Sequence, residues 1–373
     1  MKLADLRNKY KLKDYKFILV ISVLALTLLG IMVIGSARES VQSRQIFGVI
    51  LGGIIMVITS LISYTWILKF YWVIYALNIL LLIIVRLFGT TRGGATRWLD
   101  FGFTTFQPSE LSKFFLILFF AKFIIDHEER LHEPKVILKA IGLLLPPVFL
   151  IYRQPDFSTT FSIVAVFCIL LYVGGLSYKF IGTVLLVLIP VSIIFISIIV
   201  RPDQPFLEGY QQRRVLAWLQ PEKYDDTAYQ QNNSVIAIGS GQLSGKGLNN
   251  NTTTSLKNGN YISEPQTDFI FTIVGEELGF IGSCSVIGLQ LLIVIQCMLV
   301  GWRAADMAGR IICVGVAAQI CIQSFINIGV TTGIVPNTGI PLPFVSYGLT
   351  SLISFMFGIG LVLNVGLQPK KHQ

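Results

Sequence analysis

The chain has 373 residues, of which 53% are hydrophobic and 13% charged, with a formal net charge of +9 and a mean hydropathy of +0.70. Such a composition excludes an ordinary soluble domain and points to an integral membrane protein. The basic excess fits loops that face anionic lipid, so no nucleic-acid partner is expected.

The first sixteen residues form a basic, polar tail (1–16). Apolar runs follow at 17–37, 46–64, 66–87, 108–125, 137–152, 157–175, 179–200, 278–301, 308–330 and 347–367. Each is near the twenty residues that cross a bilayer core, which predicts an all-α polytopic fold of ten transmembrane helices. The membrane domain then covers 17–367, and a short tail (368–373) closes the chain. Lys and Arg crowd the loops on the side of the N-terminus, from Lys2 to Lys16, at Lys122 to Lys139 and at Lys370 and Lys371. That bias places both termini in the cytoplasm of a multi-pass protein. The opposite, outer face then receives the three unusual segments. These are the Gly- and aromatic-rich stretch 88–107, a large extracytoplasmic loop at 201–277 between spans seven and eight, and the Pro-rich stretch 331–344, TTGIVPNTGIPLPF. Irregular backbone at membrane depth is tolerated only when buried in protein or lining a cavity, so chemistry is expected there. The five cysteines lie inside apolar runs and read as small buried hydrophobes.

Four constellations stand out. The stretch 264–282, EPQTDFIFTIVGEELGFIG, sets Asp268, Glu276 and Glu277 among apolar residues where a span begins. As one helix it would carry Glu276 about 12 Å beyond Asp268. Intramembrane acids usually face a bundle interior or a wet cavity, although Asp268 also suits a helix cap. Span four opens with QPSELSK, where Glu110 and Lys113 share a face. They read either as a buried structural pair or as a Lys offered to an anionic headgroup. Span six opens with RQPD, where Asp156 reads as a cap or a site acid and Arg153 as an anion ligand. Arg97 and Arg214 add cations to the outer segments, and Lys246 sits in the glycine-rich IAIGSGQLSGKG, a weak candidate for cradling phosphate. Two function classes stay open at this level, a transporter of a lipid-linked anion and an enzyme acting on one. Embedded charges cluster at the outer ends of spans, where a flippase would also need them in the inner halves.

Seven pieces in order, GATRWLDFG, FQPSELSK, RQPD, YQQRRV, SVIAIGSGQLSGKGL, EPQTDFIFTIVGEELGFIG and NTGIPLPFVSYGLTSL, resemble the SEDS (shape, elongation, division and sporulation) family of bacterial peptidoglycan polymerases. They cover about residues 30–367, and YQQRRV with the glycine segment resembles its RodA branch. The resemblance implies a bacterial plasma-membrane glycosyltransferase that polymerises lipid II on the outer face, releasing undecaprenyl diphosphate. It implies a class B penicillin-binding protein and other elongation-complex membrane proteins as partners. It makes Asp268 the catalytic acid, acting as general base on the acceptor 4-hydroxyl. It assigns substrate binding to Glu110, Lys113, Arg97, Arg153, Asp156, Arg214, Lys246, Glu277, Ser346 and Tyr347. The leaving diphosphate would be met by such cations or by a divalent ion (Mg2+ or Mn2+), with no protein-made metal site expected. The chain departs from the family pattern at Phe157, Ser158, Asn337 and Leu349. The rivals are a precursor flippase and a non-catalytic scaffold for cell-wall synthases.

Overall fold

The computed structural model describes residues 15–92, 95–102, 104–177, 209–249, 262 and 264–368, with 182 and 186. Its helices are α1 (Phe17–Ala37), α2 (Glu39–Leu61), α3 (Tyr64–Phe88, with a 3-10 turn at Leu68–Phe70), α4 (Pro108–Asp126), α5 (Pro134–Tyr152) and α6 (Phe157–Val173). After the expected span at 179–200, which lies outside the described residues, come α7 (Gly209–Leu219), α8 (Asp225–Ser240), α9 (Ile270–Trp302), α10 (Met307–Thr331) and α11 (Leu349–Leu367). Among the described residues, seven helices are long and apolar enough to cross a membrane: α1, α2, α3, α5, α9, α10 and α11. Helix α6 is apolar but has 17 residues. Helix α4 coincides with an expected span yet carries Glu110, Lys113, Lys122 and Asp126.

The chain is not wholly helical. Strands β1 (Thr90–Arg92), β2 (Ala95–Asp100) and β3 (Thr105–Phe106) form an antiparallel sheet in the order β1-β2-β3. Thr and Trp suit a pleated surface, and Gly102, at φ +83 with its N–H on Asp100 Oδ1 at 2.9 Å, makes the turn into β3. The strands are two to six residues long, too short for their alternation to rise above a glycine-rich loop.

Helices α10 and α11 form the centre. Helix α11 packs most extensively along α2, and α10 runs between α9, α6 and α4. Helices α3 and α5 turn apolar faces outward, as lipid-facing helices do. One end of the bundle is pinned by polar bonds. Tyr64 donates to Asp306 Oδ1 at 2.8 Å, Asp306 caps α10 through Gly309 N at 2.8 Å, and Asn364 bonds both Tyr64 N and Ser60 O at 2.8 Å. The other end carries the sheet, α7, α8 and the irregular segment 332–348.

Helix α9 is broken. Gly279 sits at φ 66, ψ −160, which divides a first segment ending at Leu278 from the long apolar one. A break leaves carbonyls and amides without helical partners, and the glycine-rich turn after α8 supplies them. Lys246 N and Gly247 N donate to the carbonyls of Glu276 and Glu277 at 3.0 and 2.9 Å, while Phe280 N and Ile281 N donate to Gln242 O and Leu243 O at 2.8 and 3.2 Å. A Cβ on Gly279 would lie 2.3 Å from Gly245 N, and one on Gly245 2.2 Å from Glu277 O. The glycines of GSGQLSGKG therefore let two backbones meet, and the expected phosphate cradle is instead a splint for the broken helix.

Candidate active site

A cavity of about 820 Å³ opens at the end that carries the sheet. Its wall is made by the α1–α2 junction, the β2–β3 region, the first turns of α4 and α6, α7, Gln230 of α8, the segment 264–269, the loop 337–348 and the first turn of α11. Arg38, Arg44, Arg97 and Arg214 line it together with Asp100, Glu110, Asp156, Glu264 and Asp268.

Asp268 stands just before α9. The expected capping role is not realised, because Phe269 is the N-cap residue and no side chain caps the helix. Burial raises the Asp268 carboxyl from 3.8 to about 6; Arg214 and Arg97 pull it down, and Glu264 and Asp156 push it up. A Cβ on Gly339, at φ +71, would lie 3.3 Å from Asp268 Oδ2 and 3.8 Å from Arg214 Nη1. The bare glycine backbone thus leaves room beside the carboxylate and its cation.

Two site residues are held by the RQPD turn. Arg97 Nε donates to Gln154 O at 2.9 Å, its Nη2 donates to Pro155 O, and its Nη1 lies 4.0 Å from Asp156 Oδ1. Asp156 caps α6 through Thr159 N at 3.2 Å and also lines the cavity, near Arg97. Glu110 also reaches the cavity. Its partner Lys113 does not. Lys113 Nζ is buried 2.8 Å from Glu110 Oε1 and 2.8 Å from Gln323 Oε1, and Gln323 in turn donates to Pro341 O at 2.9 Å. The pair ties α4 to α10 and to the cavity loop, with Glu110 at the cavity and Lys113 behind it.

Four further expected ligands are placed elsewhere. Lys246 pairs with Glu276 Oε1 at 2.8 Å beside the α9 break, away from the cavity lining. Glu277 accepts from Ser36 Oγ at 2.5 Å in the same splint. Arg153, at the exposed C-cap of α5, accepts a bond from Arg86 Nη1 on its carbonyl at 3.2 Å and is not part of the cavity lining. Ser346 is buried and commits its hydroxyl to backbone, donating to Thr267 O at 2.6 Å and accepting from Leu342 N at 2.7 Å. Tyr347 does line the cavity, and its N–H donates to Gln266 O at 2.8 Å.

Sequence reasoning passed over Arg38, Arg44 and Glu264 as site residues, although Arg38 lies 3.8 Å from Glu264 at the cavity rim. Their signal was present: arginines on a face that is otherwise poor in Lys and Arg need a reason. Asn337 and Leu349, two of the departures from the family pattern, also line the cavity.

Comparison with known proteins gives this geometry a setting. The chain is 34% identical over 361 residues to the peptidoglycan glycosyltransferase MrdB of Escherichia coli K12, covering 94% of this chain and 93% of that one. It is 30% identical to a probable peptidoglycan glycosyltransferase FtsW of Trichlorobacter lovleyi, covering 97% and 96%. Among solved structures it resembles a chain from a peptidoglycan synthase complex that coordinates polymerization and crosslinking, with a TM-score of 0.80, 28% identity and coverage of 94% and 97%. It also resembles the rod shape determining protein RodA of Thermus thermophilus, with a TM-score of 0.67, 26% identity and coverage of 94% and 96%. The model of the FtsW, RodA and SpoVE family, described as cell cycle protein, matches residues 10–371, and the chain belongs to that family.

Proposed function

We propose that this peptidoglycan glycosyltransferase polymerises lipid II, with Asp268 as the general base. The observation that carries the reading is a carboxylate held near pKa 6 at an open cavity, between two arginines and beside a glycine backbone. In the proposed step Asp268 takes the proton of the acceptor 4-hydroxyl, whose oxygen attacks the anomeric carbon of the donor. The bond to the leaving diphosphate breaks as the new glycosidic bond forms. Arg214 and Arg97, both at the cavity, are the cations that would meet the negative charge growing on the leaving group. Glu264 and Arg38 at the rim are placed to meet the polar headgroup.

A divalent ion (Mg2+ or Mn2+) would enter with the substrate diphosphate. Among the described residues no group of three or more His, Cys, Asp or Glu side chains is placed to hold one. In the same reading the chain crosses a bacterial plasma membrane ten times, with 179–200 as the seventh span, 201–277 as the large outer loop and both termini inside. A class B penicillin-binding protein would cross-link the strands, and the RodA-like segments suggest work in cell elongation with other membrane proteins of that complex. The test is strand formation from purified lipid II in liposomes, with the cognate transpeptidase supplied and no other polymerase present. Polymer is the expected result. Lipid II transfer between leaflets without polymer would support a flippase, and neither activity would support a scaffold.

A further inference from the structure

The segment that bears Asp268 is held by three consecutive carbonyls. Gln266 O accepts from Tyr347 N at 2.8 Å, Thr267 O from Ser346 Oγ at 2.6 Å, and Asp268 O from Asn327 Nδ2 at 2.8 Å. Asn327 lies in α10, 1% exposed, and its second amide hydrogen goes to Ile340 O at 2.7 Å. One side chain therefore joins the backbone of Asp268 to the residue after Gly339, whose bare α-carbon faces the Asp268 carboxylate. The geometry points to Asn327 as a positioning residue for the transfer reaction, setting the distance between Asp268 and the Gly339 wall of the cavity. Ser346 fixes the register of the same segment one residue earlier. Asn327 touches no reacting atom, and it does not appear among the cavity-lining residues.

This assignment fits the chemistry required of a general base. A base acts only within hydrogen-bond reach of its proton, and a misplacement of about 1 Å can cost on the order of a hundredfold in rate. Asp268 lies one residue before Phe269, the N-cap of α9, and no side chain caps that helix. Its position must come from outside α9. The amide of Asn327 is suited to the task because it offers two hydrogens in a fixed plane, one to each segment. A hydroxyl or an aliphatic side chain supplies one or none.

The inference rests on Asp268 being the base, and the experiment separates the two. Lipid II polymerisation by the full-length protein would be compared for Asn327→Leu, Ser346→Ala, Gln290→Leu and Asp268→Asn. Gln290 is a control, since it donates the same kind of bond, to Pro343 O at 2.7 Å, in the same loop but not to the Asp268 segment. We expect kcat to fall about 10- to 100-fold in Asn327→Leu and less in Ser346→Ala, with KM for lipid II unchanged. Gln290→Leu should keep kcat. Ser346→Ala removes one small group and covers the case in which Asn327→Leu does not fold. An unchanged kcat in folded Asn327→Leu, or in Ser346→Ala where Asn327→Leu is lost, overturns the positioning role. So does an equal fall in Gln290→Leu, which would reduce the clamp to general loop stability. Full activity in Asp268→Asn would instead overturn the base assignment beneath it.

Discussion

The cavity wall around Asp268 and the break in α9 are made of similar materials. Both contain carboxylates, a basic side chain and glycine backbone near the same end of the bundle, and one stretch of sequence, 264–282, runs through both. At the break, backbone hydrogen bonds run between Gln242–Gly247 and Glu276–Ile281, and one oxygen of each carboxylate is engaged, Glu276 Oε1 by Lys246 and Glu277 Oε1 by Ser36. At the cavity the backbone is also satisfied, through Asn327, Ser346 and Tyr347, but the side chain of Asp268 is left facing open space. A charged residue becomes available for chemistry when its backbone is restrained and its side chain is not. Charge alone does not separate the two regions.

The comparison can be broken most severely at the helix break. Gly279→Ala should lower stability by about 2–6 kcal/mol, adding strain in a glycine-only conformation to overpacking against Gly245. Thermal unfolding in detergent reads the loss. Next is the buried pair behind the cavity, where Lys113→Met leaves Glu110 without its cation and should cost about 3–5 kcal/mol. An unchanged unfolding temperature would show that the pair is not what ties α4 to α10. Gly339→Ala makes the opposite kind of change. It should cost only about 1–3 kcal/mol in backbone strain, yet it puts a methyl 3.3 Å from Asp268 Oδ2 and should lower kcat more than tenfold, the scale of a small misplacement of the base.

The smallest expected effect is the most diagnostic of electrostatics. Asp268 must be ionised to accept a proton, so the rate should rise with pH through about 6 and then level off. Below that value it should fall about tenfold per unit. Arg214 favours the ionised form, so Arg214→Gln should move this acid limb to higher pH. A limb that stays in place in the variant would assign it to another group.

Much of this arrangement was legible in the sequence, because it depends on length and polarity. The apolar runs located the described membrane helices, and an acid before a long apolar run located Asp268. What could not be read depends on which backbone approaches which. Lys246 in a glycine-rich turn looks like a phosphate ligand until Gly245 is seen against Glu277. Ser346 looks like a polar site residue until its hydroxyl is found on Thr267 O. Helix α2 begins at Glu39, well before its apolar run, because the polar start is helical yet lies outside the apolar stretch. Arg38 and Arg44 belong to the cavity only because α1 and α2 bring their junction beside Glu264.

The central claim is that the acid facing the cavity does the chemistry, while the acid buried at the helix break holds the fold. It is tested most directly by measuring glycan strand formation from purified lipid II by Asp268→Asn and Glu276→Gln proteins side by side, each shown to be folded. The account predicts no polymer from Asp268→Asn, and from Glu276→Gln a lower unfolding temperature with near-normal polymer per folded molecule. Polymer from Asp268→Asn, or its loss from a folded Glu276→Gln protein alone, would contradict it.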